Sequence, residues 1–208
     1  MRRLTLSAAF FVALACLNSM AQGPPSLDTF SSPDGSFQFV YPETYELLVG
    51  ERILKATQGR QAALPVCDFS IAVACVIYPV EGERETRLEA ADFSVDTMAA
   101  TNESDCLTYK DEKARSRTLD LSVTPISIRS RTFQHASATR KIPGHIQSAD
   151  FYRTFTKQKC YELQIQVSMS DGPAQQKASG PSSLGDGTAN AARESLKLIL
   201  SSVVFEKE

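Results

Sequence analysis

The sequence predicts an α+β domain, an antiparallel or mixed β-sheet with helices packed on both faces in a three-layer sandwich. Three observations lead there. Residues 149–169 hold two alternating segments joined by Lys157-Gln158-Lys159, the pattern of a hairpin. Two other stretches, 86–98 and 189–203, repeat apolar residues at helical intervals. These elements follow the order strands, helix, strands, helix, which packs most simply as helices laid on a sheet.

Taken in order, residues 22–35 read as a flexible lead-in ending in the turn Pro33-Asp34-Gly35. Phe37, Phe39 and Tyr41 then alternate with Ser36 and Gln38 until Pro42, a first strand, and residues 45–49 form a short second one. A connection rich in Gly, Arg and Gln runs on to Leu64. Residues 69–78 are apolar on both faces, as in a strand buried within a sheet, and Pro79 ends it. Thr86 and Glu89 have capping-box spacing, and Leu88, Ala91, Val95 and Met98 recur as on one helix face, with Asp92 and Asp96 turned away. Ile126, Ile128 and residues 132–138 suggest strands, and Pro143-Gly144 marks a turn. In the hairpin, Ala149, Phe151, Arg153 and Phe155 alternate with Asp150, Tyr152 and Thr154. Tyr161, Leu163, Ile165, Val167 and Met169 then alternate with Glu162, Gln164, Gln166 and Ser168. Residues 170–190, rich in Ser, Gly, Ala, Pro and Gln, read as a flexible loop. A closing helix is expected from about Ala189, with Ala192, Leu196, Ile199, Leu200 and Val203 on one side and Arg193, Glu194 and Lys197 around the other. Residues 36–208 thus form one domain, with no internal repeat.

The opening Ser32-Pro33-Asp34-Gly35-Ser36-Phe37-Gln38-Phe39-Val40-Tyr41-Pro42 resembles the first strand of PsbP-like domains, where a small turn leads into F-x-F-x-Y-P. The alternating strand 160–169, the loop and the segment 194–205 are similar to the end of that group. The resemblance implies an antiparallel sheet between helices and a binding or assembly role without catalysis. Its best-known member is an extrinsic subunit of the photosynthetic oxygen-evolving complex. This chain looks closer to exported bacterial relatives, and no functional residue is carried over.

Residues 1–21 have the layout of a signal peptide: Met1-Arg2-Arg3, an apolar run over 4–17, and Ser19-Met20-Ala21 before Gln22. The run is short for a membrane span, so no transmembrane span is expected after processing. Ala13-Leu14-Ala15-Cys16 offers an alternative, similar to a lipoprotein box in which Cys16 would carry lipid. Either way the expected location is extracytoplasmic, periplasmic or secreted.

Cleavage leaves Cys67, Cys75, Cys106 and Cys160, an even number in an oxidising compartment and without a C-x-x-C pair, which favours disulfides over zinc. If 69–78 is one continuous strand, Cys67 and Cys75 stand roughly 26 Å apart. A helix returning along the sheet would bring Cys106 to Cys67. Cys67–Cys106 is then the expected bridge, with Cys75 and Cys160 a second bridge or two thiols.

A hydrophobic share of 42% supports a core without metal, and a formal net charge of −2 speaks against nucleic acid as a partner. The charge is uneven, with 22–106 acidic and 107–145 basic. Arg129, Arg131, Arg140 and Lys141 near strands, with Lys110, Lys113, Arg115 and Arg117 before them, are candidate contacts for an anionic partner. The two histidines, His135 and His145, could converge on one metal or serve a hydrolase, but no third ligand completes a set. There is no nucleophile elbow, H-E-x-x-H, phosphate loop or dinucleotide fingerprint. The expectation is an exported, non-enzymatic domain that binds a protein or small ligand and needs no cofactor, with a hydrolase or metal enzyme built on His135 and His145 as the alternative. Oligomeric state is not readable.

Overall fold

The computed structural model describes residues 25–53, 67, 72–80, 87–109, 119–171 and 184–206. The export segment 1–21 with Cys16, most of the connection to Leu64, Thr86, the middle of the 170–190 loop, and Lys110, Lys113, Arg115 and Arg117 lie outside the described residues.

The strands are β1 (Leu27–Ser31), β2 (Phe37–Pro42), β3 (Glu46–Val49), β4 (Ala72–Ile77), β5 (Leu88–Met98), β6 (Leu119–Ile128), β7 (Arg131–Ile142), β8 (His145–Thr156), β9 (Lys159–Ser170) and β10 (Val204–Phe205). A short helix, α1 (Glu103–Leu107), follows β5, and a long one, α2 (Leu184–Ser202), precedes β10. Two antiparallel sheets result, β1-β2-β10 and β3-β4-β5-β9-β8-β7-β6. The class is α+β, as expected, and every strand pairing is antiparallel.

The main core lies on one face of the large sheet. Phe93, Val95, Tyr161, Leu163, Ile165 and Val167 point there from β5 and β9. They meet Ala192, Leu196, Ile199, Leu200 and Val203 of α2, the face that helical spacing predicts, and Phe37, Phe39 and Tyr41 of β2. The helix is fastened by Ser202, whose hydroxyl accepts from Val40 N–H, and by a 2.7 Å hydrogen bond between the Tyr45 and Ser195 hydroxyls. Short α1 lies across the opposite face, joined there by the Cys106–Cys160 disulfide, because Cys160 alternates with the core-facing Tyr161.

Four expectations are corrected. First, the helix expected over 86–98 is not formed by the described part, residues 88–98. Leu88–Met98 is the strand β5, paired with β4 on one side and β9 on the other. Ala91 and Val95 satisfy a period of two as well as a helical one, Phe93 between them completes the strand face, and a bulge between Leu88 and Ala90 puts Leu88 on that face. The helical reading assumed that Asp92 and Asp96 face water, yet both are 1% exposed.

Second, the bridges are Cys67–Cys75 and Cys106–Cys160. Strand β4 starts only at Ala72, and Cys67 sits in the left-handed region with φ +57°, so its Cα lies 5.9 Å from that of Cys75. Because Leu88–Met98 is a strand, no helix there carries Cys106 back to Cys67. Met98 instead pairs with Cys160, and α1 delivers Cys106 just past that point.

Third, the lead-in 22–35 contains β1. Its alternation is too weak to read, but Phe30 lies opposite Phe39, with ring centroids 5.0 Å apart. Fourth, α2 begins at Leu184, inside the segment expected as loop and ahead of Ala189. Its well-anchored C-terminal half lets the helix extend backward, one hydrogen bond per added residue.

The second faces of β5, β8 and β9 are also buried. Asp92, Ser94, Asp96, Glu162, Gln164, Gln166 and Ser168 are each at most 2% exposed. The polar side of the hairpin's second strand is therefore an interior one. Pro125, which lacks an N–H, is tolerated because β6 forms the edge of its sheet.

Candidate functional site

Helix α2 packs across β5 and β9 and stops short of the β6–β7 side of the sheet. The step between them is a groove of about 600 Å³. Ile126 and Ile128 from β6, Tyr152 from β8 and Leu200 from α2 give it an apolar lining, while Arg129, Arg193 and Lys197 supply positive charge.

At its base, His135 on β7 and Tyr152 on β8 are register partners whose rings stack with centroids 4.7 Å apart. His135 Nε2 is 3.3 Å from Asp150 Oδ1. Arg193 comes down from α2, with Nε 3.5 Å from Asp150 Oδ2 and Nη2 donating to the Ser148 hydroxyl. Burial alone would raise the Asp150 carboxyl. The hydrogen bond from His135 and the charges of Arg193, His135 and Lys197 outweigh it, so the group sits below its ordinary value. Tyr152 is pushed up to about 12, by burial first and the Asp150 charge second.

Lys197 stands one turn beyond Arg193 on the same helix face and pairs with Glu194 at 2.8 Å near the surface. Arg129, in the β6–β7 turn at φ +54°, donates from Nε to the Ser201 carbonyl at 2.8 Å. It thereby satisfies one of the last carbonyls of α2.

The expected basic contacts divide between two ends of β7. Arg129 lines the groove, and Arg131 lies over the Phe205 ring, 5.1 Å from its centroid. Arg140 and Lys141 pair with Gln147 and Ile146 at the far end, roughly 30 Å along the strand from Arg131.

The two histidines do not converge. His145 pairs with Ile142, which puts it roughly 23 Å along the sheet from His135. Strand alternation also places it on the opposite face, where Nδ1 lies 2.8 Å from Glu89 Oε2. The metal or hydrolase site that needed both is overturned by this geometry. Among the described residues, the one three-member set of metal-ligating types is Cys67, Cys75 and Asp92, and its two sulfurs are joined in a disulfide.

Sequence reasoning missed Asp150, Tyr152, Arg193 and Lys197 as groove residues. The signal was present: Arg193 and Lys197 are spaced i, i+4, and Asp150 and Tyr152 i, i+2, so each pair shares one face of its element. What could not be read was that the two faces meet.

No family model and no curated protein matches the chain. Solved structures do. A crystal structure from Bacteroides thetaiotaomicron has a TM-score of 0.43 at 11% identity and covers 86% of this chain; the chain spans 48% of that protein's length. LpqN, involved in cell envelope biogenesis of Mycobacterium tuberculosis, has a TM-score of 0.48 at 7% identity, covering 88% of this chain and 91% of its own. Cyanobacterial PsbP from Synechocystis has a TM-score of 0.44 at 10% identity, covering 89% and 96%. A PsbP thus stands among the neighbours, as the opening strand and closing segment anticipate. At these TM-scores the likeness lends no weight to any function, and the functional reading rests on the groove.

Proposed function

We propose that this protein is an exported, non-catalytic binding domain that receives an anionic group of its ligand or partner in the groove between α2 and the β6–β7 edge. The carrying observation is that groove, about 600 Å³ in volume, with Arg193 and Lys197 side by side on one helix face above an apolar lining. Concave, largely apolar sites with a few placed polar groups are where small molecules bind. Export is supported by the signal-like segment 1–21 and by two disulfides, which form and persist in oxidising compartments. Among the described residues His135 contacts Asp150 and stacks on Tyr152, contacts that hold the ring at the base of the groove.

The test is a fluorescence titration with 8-anilinonaphthalene-1-sulfonate, an apolar probe carrying one negative charge. Saturable binding at one site is expected, weakened about tenfold by Lys197→Ala, as for loss of one charged contact. Arg129→Ala in parallel reports whether the cation at the other end of the groove takes part. Absence of saturable binding, or binding indifferent to Lys197, would sink the proposal.

A further inference from the structure

The arrangement of charge and apolar surface along the groove is directional. Arg193 and Lys197 lie on the middle of α2, whereas Leu200 and Ser201 line the groove at its C-terminal end, facing Ile126 and Ile128 across the gap. An occupant therefore meets Arg193 and Lys197 at one end, and at the other aliphatic side chains beside Arg129, whose guanidinium is engaged by the Ser201 carbonyl. From Arg193 to Leu200 the helix rises about 10 Å, so the occupant is an elongated molecule with its charge at one tip.

The charge itself is modest. Arg193 is already engaged by Asp150, and Lys197 pairs with Glu194. Towards the carbonyl end of α2 the helix dipole disfavours added negative charge, and Arg129 already answers the Ser201 carbonyl there. Asp150 and Glu194 leave the Arg193–Lys197 end close to neutral, so a dianionic head group would find less compensation there than a single carboxylate. Ile126 is 39% exposed on the edge strand, an aliphatic side chain turned into the groove with apolar surface left to cover.

We infer that the groove binds a free single-chain fatty acid, its carboxylate between Arg193 and Lys197 and its chain running along Tyr152 and Leu200 to Ile126 and Ile128. This rests on the binding reading above and names the ligand class for the same site. A chain of about ten carbons fits the span and the volume.

The experiment is displacement of 8-anilinonaphthalene-1-sulfonate from the intact, disulfide-bonded protein by hexanoate, octanoate and decanoate, with decanol as the uncharged control. Affinity is expected to rise up to about fourfold per methylene, the step set by burying one CH2. Decanol should bind at least about tenfold more weakly than decanoate, as for loss of a charged contact. Ile126→Asp and Lys197→Gln are surface changes whose folding is checked by circular dichroism. Each should weaken decanoate about fivefold or more. A flat chain-length series, equal binding of decanol, or indifference to Ile126→Asp would overturn the assignment. Probe binding that depends on Lys197 but is not displaced by any acid would leave the binding reading standing and remove the fatty acid. No probe binding at all would remove both. Sedimentation showing a dimer that Ile126→Asp dissociates would make a second copy the occupant, and the assignment would fall.

Discussion

Arg153 and Glu162 show what a single pair of residues does in this sheet. Their side chains are 2% and 1% exposed, and Arg153 Nε donates to Glu162 Oε2 at 2.6 Å. The guanidinium also lies 4.0 Å from the Tyr109 ring centroid and donates to the Thr108 carbonyl, so the pair fastens the segment after α1 to β8 and β9. Removing one partner strands a buried charge. Arg153→Leu alone should cost about 3–5 kcal/mol in denaturant unfolding, and Arg153→Leu with Glu162→Leu should recover much of that loss. An unchanged midpoint in the single variant would refute this account. Tyr152 offers a second residue-scale test. Its folded value of about 12 lies above the ordinary 10.0, so burial favours the neutral phenol. The associated stability is fully present below pH 10 and is lost as pH rises towards 12. Tyr41 and Tyr45 are also raised, so ultraviolet difference titration should show several tyrosines ionising late, and Tyr152→Phe should remove one of them and reduce the alkaline loss.

Strand β5 carries the lesson at the scale of elements. Leu88, Ala91, Val95 and Met98 suit a helix, and Ala91, Phe93 and Val95 suit a strand equally well. The choice falls to β4 and β9, which offer hydrogen-bonding edges on both sides. No local signal contains that information. The disulfides follow from it, since Met98 opposite Cys160 sets where Cys106 arrives. The two bridges should differ in weight. Cys106–Cys160 spans 54 residues and Cys67–Cys75 spans 8. Chain entropy then assigns about 4 kcal/mol to the first and about 2.6 kcal/mol to the second. Paired Cys→Ala variants compared by denaturant unfolding should show that order, and a non-reduced peptide map should recover these two linkages. A fragment joining Cys67 to Cys106 would contradict the fold as described. On α2, Leu196→Ala should cost about 2–5 kcal/mol, because Leu196 is fully buried in the main core.

Across the whole molecule, one long helix covers only part of a seven-stranded sheet, and the uncovered side becomes the groove. No helix among the described residues is long and apolar enough to cross a membrane. Site and scaffold are largely separable at this scale: Lys197 and Ile126 reach the surface, while Tyr152 and Leu200 belong to the core beneath. Lys197→Gln should therefore weaken ligand binding while shifting the unfolding midpoint by about 0.5 kcal/mol or less, as is usual for surface substitutions. Thermal and chemical unfolding run beside the binding titration check that separation. A large loss of stability would mean that the Lys197–Glu194 pair holds the helix rather than the ligand.

The strands β2, β8 and β9 and the buried side of α2 were legible because their apolar periods are unambiguous: Phe37, Phe39 and Tyr41; Tyr161, Leu163, Ile165 and Val167; Leu196, Ile199 and Val203. Local chemistry also set the turns. Gly35 at φ +69° follows Pro33-Asp34, and Gly144 at φ +83° follows Pro143. Cys67, Cys75, Cys106 and Cys160 favoured disulfides, but neither the second bridge nor the partners could be read, for connectivity depends on where strands end in space. The polar second face of β9 was legible as polar, yet its burial was not, since alternation reports chemistry and not what covers it. His135 and His145 illustrate the same limit, being ten residues apart in sequence but on opposite faces of one sheet. Periodicity determined β2, β9 and the anchored half of α2, with their apolar sides. Only tertiary packing decided that Leu88–Met98 is a strand, that Cys67 meets Cys75, and that Arg193 and Lys197 face Ile126 across a groove, because each depends on contacts between segments far apart in the chain.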